Sequence, residues 1–283
     1  MSHFYFSVLV VGDNIDQQLA PYHEFECTGT DDQYVQDIDQ TQELLDEYSR
    51  ANKEEYPTFS EFIEGDYGRK PVPHGEQPDL DGRHKYGYFL LDEKGEVSKV
   101  IDRTNPNKKW DWWVVGGLRW SGFFLLKNGR KSSEARKGDI DFQGMMDVAE
   151  QKARKVFQAW KEATDPHPPI LPWATVRAMH PDIEDARKFF GDQPGVAAAR
   201  HIDPLGWRMD ELIGKTLDQY VTEAREQSIR TFAVVIDGKW HEHGTMGWFA
   251  CVSNENANWG QDYLKLLESI PDDSVLTVVD CHI

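Results

Sequence analysis

Two of the most apolar stretches of this chain lie at its two ends. His3–Val11 is rich in Phe, Tyr and Val and stops at Gly12-Asp13, a turn signal. Val275–Ile283 places Val275, Val279, Cys281 and Ile283 on one face and Leu276, Val278, Asp280 and His282 on the other. Strands of this kind must find partners for their backbone groups. A single sheet that gathers both termini is the expected solution.

Between the ends, strand and helix signals alternate. Asp39–Lys53 reads as a helix, with Asp39 as N-cap and Gln42 three residues on. Pro57–His84 carries Pro57, Pro71, Pro73 and Pro78 and reads as a loop or extended arm. Tyr86–Leu91 and Val97–Asp102 flank Glu93-Lys94-Gly95 as a hairpin. Met145–Trp160 repeats its apolar residues at helical spacing, and residues 173–214 read as short helical pieces and loops. Thr216–Ser228 is a helix opened by a Thr216/Gln219 capping box. Asp237-Gly238 marks a second hairpin, and Tyr263, Leu266, Leu267 and Ile270 line one side of a final helix. The expected fold class is α+β: a mixed sheet gathering both termini, with helical and extended acidic insertions. The expected division is a discontinuous core of 1–20, 86–135 and 230–283, an acidic extended arm at 21–85, and a mainly helical region at 136–229.

The window KWDWWVVGGLRWSGFF, residues 109–124, holds four of the ten tryptophans. Exposed indole rings in a positive groove stack single-stranded bases. Here the local cations are only Lys108, Lys109 and Arg119, in a chain of net charge -18. Alternation fits strands better, near Trp112–Val115 and Arg119–Leu126, joined through Gly116 and Gly117. Trp112 or Trp113, and Trp120, are therefore expected to be buried in a sheet, with partner contact as the other reading.

Charge is concentrated. From Val11 to Asp66 there are sixteen Asp and Glu against Arg50 and Lys53, a balance of -14. Such a surface repels nucleic acid, so no direct nucleic-acid partner is expected. No window approaches the ~18 consecutive apolar residues of a membrane helix. The first residues lack a basic start and a small-residue cleavage site, and no leader is expected. Cys27, Cys251 and Cys281 are too far apart for a disulfide scaffold or zinc knuckle, which points to a reducing cytoplasm. The acidic region is either a solvated face or a complement to a basic partner. In the second reading Asp31, Asp32, Asp37 and Asp39 supply charge, and Tyr34, Phe59 and Phe62 supply apolar anchors.

Chemistry-bearing motifs are sparse. There is no phosphate-binding loop, dinucleotide fingerprint, nucleophile elbow or paired Cys motif, so no catalytic residue and no cofactor is expected. His241-Glu242-His243 puts two imidazoles on one strand face, but a metal site needs a third ligand. Asp31, Asp32, Asp37 and Asp39 read more simply as solvated than as a cation site. Cys281 and His282 are neighbours on a strand, point to opposite faces and do not pair as nucleophile and base. Cys281 is expected to be buried or to sit at a contact between copies. Cys27 has no activating cation nearby in sequence.

LAPYHEFECTGTDDQYVQDID, KWDWWVVGGLRWSGFF, GTMGWFACVSNE and the terminal LTVVDCHI together resemble a recurrent family of tailed-phage proteins. The blocks span both ends and the middle, and they name no chemistry. In size, acidity and its C-terminal Cys the chain is similar to phage anti-Gabija proteins, non-enzymatic inhibitors that assemble around a host nuclease complex and block its DNA binding. That resemblance implies an anti-defence protein in the host cytoplasm. Its partner is a defence complex with a basic DNA-binding surface, and Cys281 is a self-assembly residue of a homo-oligomer. Two other classes stand beside it: a sponge that sequesters a nucleotide signal in an aromatic pocket, and an enzyme of unrecognised type.

Overall fold

A computed structural model describes residues 5–24, 29, 31–202, 209–247 and 251–283, apart from the side chain of Asp210. Cys27 lies outside the described residues. The elements run β1 (Tyr5–Val11), α1 (Ile15–Leu19), β2 (Gln36–Asp39), α2 (Thr41–Arg50), α3 (Phe59–Tyr67), β3 (Lys70–Val72), β4 (Gly87–Leu91), β5 (Val97–Thr104) and β6 (Trp112–Val115). Then follow β7 (Phe124–Leu125), β8 (Lys131–Ser132), β9 (Glu134–Arg136), α4 (Phe142–Thr164), α5 (Trp173–Met179), α6 (Ile183–Asp192), α7 (Pro194–Ala199), α8 (Met209–Leu212) and α9 (Leu217–Ile229). The chain ends in β10 (Ala233–Ile236), β11 (Lys239–Glu242), β12 (Thr245–Met246), β13 (Val252–Ser253), α10 (Trp259–Ser269) and β14 (Val275–His282). The fold is α+β. The chain divides into two compact units, 1–120 with 233–256 and 277–283, and 121–232 with 257–276.

In the first unit the two terminal strands share one sheet, in the order β11-β10-β1-β14-β6. β1 runs parallel to β10, while β10–β11 and β14–β6 are antiparallel. The mixed sheet thus gathers both ends, part of the tryptophan window and the Asp237-Gly238 hairpin. Both residues of that turn have positive φ, 51° and 70°, as a two-residue hairpin requires. Leu276 through His282 are all buried, so the strand is covered on both faces.

A second sheet in this unit has the order β2-β5-β4-β3. It accounts for much of the region expected to be an extended arm. Proline content misled there, because Thr58 and Glu61 form a capping box that starts α3 within the Pro57–His84 stretch. Phe59, Phe62 and Ile63 fall at helical spacing, and Pro71 sits in the short strand β3. Leu44 of α2 and Ile63 of α3 pack on Phe89 and Val100, with Phe59 and Tyr67 closing around them. Asp39 is not the N-cap of α2. It ends β2, and its carboxylate accepts from the Thr41 N–H at 3.0 Å and the Thr41 hydroxyl at 2.6 Å.

The second unit is mainly helical. Phe157 and Trp160 of α4 form a core with Val196, Ala199, Met209 and Leu212. The expected Thr216/Gln219 capping box opens α9. Arg225 of α9 reaches Glu150 at 2.6 Å and Asp147 at 3.1 Å on α4.

The tryptophan window departs from expectation. Trp110, at 7% exposure, is the buried indole, and its Nε1 donates to the Leu19 carbonyl at 3.0 Å. Trp112 is 42% exposed, while Trp113 and Trp120 are half-buried. The expected strand from Arg119 is replaced by a turn, because Gly116, Gly117 and Gly122 adopt φ of 67°, 50° and 67°. That leaves β6 at the edge of its sheet. Trp110→Ala should therefore cost ~3–5 kcal/mol. Trp112→Ala should cost less than half of that. Urea denaturation of the two variants checks the order.

Candidate functional site

The acidic segments fold into two kinds of surface. The sequence-predicted carboxylates are mostly engaged within the chain. Asp31 lies 3.3 Å from His23, and Asp32 accepts from the Gly29 N–H at 2.9 Å. Asp37 accepts from Arg103 at 3.0 Å, and Asp39 lies 3.5 Å from Lys99. Hydrogen bonds from Thr41, helped by Lys99, hold the Asp39 carboxyl below the usual carboxylate range. Tyr34 is half-buried.

The proposed aromatic anchors require correction. Phe62 is 4% exposed, and Phe59 packs against the core under α2 and α3. Tyr48 lies 5.5 Å from each of these rings, and Tyr56 and Tyr67 each lie 5.6 Å from Phe62. These rings pack on one another across the helix pair, with Phe62 buried and the other four half-buried.

What α2, α3 and their connection do present is carboxylate. Glu43, Asp46, Glu54, Glu55, Glu61, Glu64 and Asp66 are all exposed, against the cations Arg50 and Lys53. The reason is periodicity: Leu44, Tyr48, Phe59, Phe62 and Ile63 turn inward, which leaves the intervening acids outside. Two acids also brace the aromatic layer. The Tyr56 hydroxyl donates to Asp66 and the Tyr67 hydroxyl to Glu47, and these bonds push both phenols up to about 12. The sequence carried this signal in the spacing of 44, 48, 59, 62 and 63, which the prolines around it obscured.

A second cluster, also in the first unit, was only partly foreseen. His282 and Trp112 are register partners on β14 and β6, and their rings stack at 5.0 Å with planes 19° apart. Tyr5 meets both rings edge-on, at 5.1 and 5.7 Å, and the Arg119 guanidinium lies 3.9 Å above Tyr5. His282 Nδ1 is 2.5 Å from an Asp111 carboxylate oxygen. Cys281 points to the opposite face and is fully buried, and burial drives its thiol well above the ordinary range. An imidazole held by a carboxylate can act as a general base. This ring is 1% exposed, however, so a substrate has no route to it in this conformation, and Cys281 is not within its reach.

Asp280 is the costly member. It is 3% exposed, and its Oδ1 has no hydrogen-bond partner. Burial raises its carboxyl above the usual range, against smaller opposing effects of Arg119 and His282. Gly117 covers it so closely that a Cβ there would stand 2.3 Å from the carboxylate.

Elsewhere in this unit, Glu242 of the His241-Glu242-His243 stretch is occupied by Lys109 at 2.7 Å and Trp240 Nε1 at 2.8 Å. Among the described residues no group of three or more His, Cys, Asp or Glu is placed to hold a metal, and no helix is long and apolar enough to cross a membrane. A fully buried Cys281 presents no surface to a second copy, and β14 already has a strand on each side. Cys281→Glu therefore tests folding before it tests assembly.

Comparison with known protein families, curated proteins and solved structures finds no match.

The sign of the Asp280 effect is definite. Its folded-state carboxyl is raised above the unfolded value, so the folded chain loses relative stability as pH rises through that window. Asp280→Asn removes the penalty. The variant should be more stable than the parent at pH 7, and the gain should shrink as pH falls toward the ordinary carboxylate range. Denaturation curves at several pH values check this.

Proposed function

We propose that this chain is a phage-encoded anti-defence protein that binds a host antiviral nuclease complex and blocks its access to DNA. The observation that carries the reading is the α2–α3 surface, where seven exposed carboxylates stand against Arg50, Lys53 and, 3.6 Å from Glu64, Lys70. A DNA-binding groove carries lysines and arginines spaced for phosphate. Carboxylates fixed on a packed helix pair meet those cations, and DNA is excluded by occupancy. The resemblance of the four quoted segments to tailed-phage proteins agrees with this reading.

Magnitudes limit what charge contributes. An exposed pair is worth ~0–1 kcal/mol, so the acids mainly accelerate encounter. Tight binding needs apolar contact elsewhere, because Phe59 and Phe62 are spent on the chain's own core.

The deciding experiment uses the intact protein, a defence nuclease complex and labelled duplex DNA. Glu43, Asp46 and Glu54 are exposed, so replacing all three by Lys should leave the circular dichroism spectrum unchanged. Association with the nuclease should slow about tenfold at low salt, with DNA binding correspondingly restored. Unchanged association and undiminished inhibition by the folded triple variant would mean that the acidic surface is only solvated.

A further inference from the structure

We infer that the β7–β8 hairpin and the segment that follows it bind the phosphodiester backbone of nucleic acid. The chain's net charge of -18 is unevenly divided. The unit of 121–232 with 257–276 has 18 Lys and Arg against 21 Asp and Glu, a balance of -3, and the other unit carries the remaining -15. Within the near-neutral unit, Lys127–Lys137 holds Lys127, Arg130, Lys131, Arg136 and Lys137 against Glu134 alone, a balance of +4 in eleven residues. The charge of the whole chain, which disfavours a nucleic-acid partner, averages this segment away.

The fold fixes these cations and leaves them uncovered. The Asn128-Gly129 turn is closed by the Leu126 N–H on the Arg130 carbonyl and the Gly129 N–H on the Leu126 carbonyl, each at 2.8 Å. On its other side the Lys127 N–H donates to the Asp139 carbonyl at 2.9 Å, and the Lys127 ammonium bonds the Gly138 carbonyl, which leaves its charge unneutralised. Lys127, Arg130, Lys131 and Arg136 are exposed, and none of them has an ion pair among the described residues. Elsewhere in the unit Arg154, Lys161, Arg187, Lys215 and Arg225 each pair with a carboxylate. Lys137 is set apart from the four, because it bonds the Ile270 carbonyl at 2.5 Å and stands 3.5 Å from Asp272. The local acids are the exposed Glu134 and Asp139, with Asp141 occupied by the Gly144 N–H at 2.8 Å. Exposed cations thus outnumber exposed acids two to one.

What the hairpin lacks decides the class of partner. Phe124 is buried, Leu125 and Leu126 are half-buried, and Lys127–Lys131 is polar throughout. A tight protein interface needs apolar or aromatic anchors near its centre. Contacts to phosphate need only cations and small donors on a fixed frame. A duplex also presents one negative charge per ~1.7 Å of its axis, a density that an acidic protein surface does not reach. At 0.1 M salt the screening length is ~10 Å, so the chain's more distant acids oppose the contact only weakly.

The inference concerns the isolated protein and does not rest on the nuclease reading. It is tested by fluorescence anisotropy with a labelled random-sequence DNA duplex and a single-stranded RNA of equal length. Four phosphate contacts on a duplex give log affinity a slope of about -3.6 against log salt, so affinity should fall roughly 100-fold between ~50 and ~200 mM. The triple variant Arg130→Gln, Lys131→Gln, Arg136→Gln should keep its circular dichroism spectrum and melting temperature and flatten the slope to about -1. Arg130→Gln alone should flatten it by about 1. Lys188→Gln removes an exposed cation of α6 that also lacks an ion pair, and it should leave binding unchanged. Polyglutamate, standing in for an acidic protein, should displace the nucleic acid poorly. Binding to either nucleic acid supports the proposal, and the tighter of the two identifies the source. The proposal is overturned if the parent binds neither at low salt, if the folded variants bind as the parent does, or if polyglutamate competes as well as unlabelled nucleic acid of equal charge.

Discussion

The C-terminal strand is the piece on which the first unit's larger sheet depends. β14 lies between β1 and β6, and every residue from Leu276 to His282 is buried. Its Cys281 face is simple: Val279 and Cys281 are fully buried, and the thiol acts as a small hydrophobe. Its other face is not. Asp280 and His282 occupy positions where an aliphatic residue would pack at no electrostatic cost. His282 is compensated by Asp111 and by stacking on Trp112. Asp280 is compensated only in part, by the nearby charges of Arg119 and His282. A buried, underpaired carboxylate is destabilising by itself.

The α2–α3 pair solves a different problem. A short, strongly acidic segment repels itself and gains little from helix propensity alone. The chain places an aromatic layer of Tyr48, Tyr56, Phe59, Phe62 and Tyr67 under the acids, and Leu44 and Ile63 join that layer to the sheet. Two tyrosine hydroxyls then donate to carboxylates, which spreads negative charge without a cation. The acidic exterior and the aromatic interior are the two sides of one amphipathic arrangement.

Much of the fold was legible in the sequence, for identifiable reasons. Strands at the termini, the Val97 hairpin, the Asp237-Gly238 turn and the Thr216 capping box are local signals, and the structure contains each of them. The signals that failed are those decided at a distance. Prolines at 57, 71, 73 and 78 suggested a loop, but a capping box and three inward side chains outweighed them between 59 and 67. In the tryptophan window, alternation alone did not show which indole would find a partner. Trp110 is buried because its N–H reaches the Leu19 carbonyl, a contact 91 residues apart in sequence. Of the candidate binding residues, the acids were legible as charge. Which of them stay free was not, because Arg103, Lys99 and His23 reach Asp37, Asp39 and Asp31 only in the fold.

The exposed acids of α2 and α3 and the buried Asp280 are two extremes of solvent access among the carboxylates of this chain. At about 4 Å in water two unit charges interact by ~1 kcal/mol, and salt reduces this further. The exposed acids of α2 and α3 lie in that regime, where single pairs are weak and only their sum acts at a distance. Asp280 lies in the other regime, where desolvation dominates. A surface of the first kind attracts a basic partner without fixing how the two dock, because many arrangements of screened pairs have similar energy. Docking geometry must come from contacts that are directional and dry.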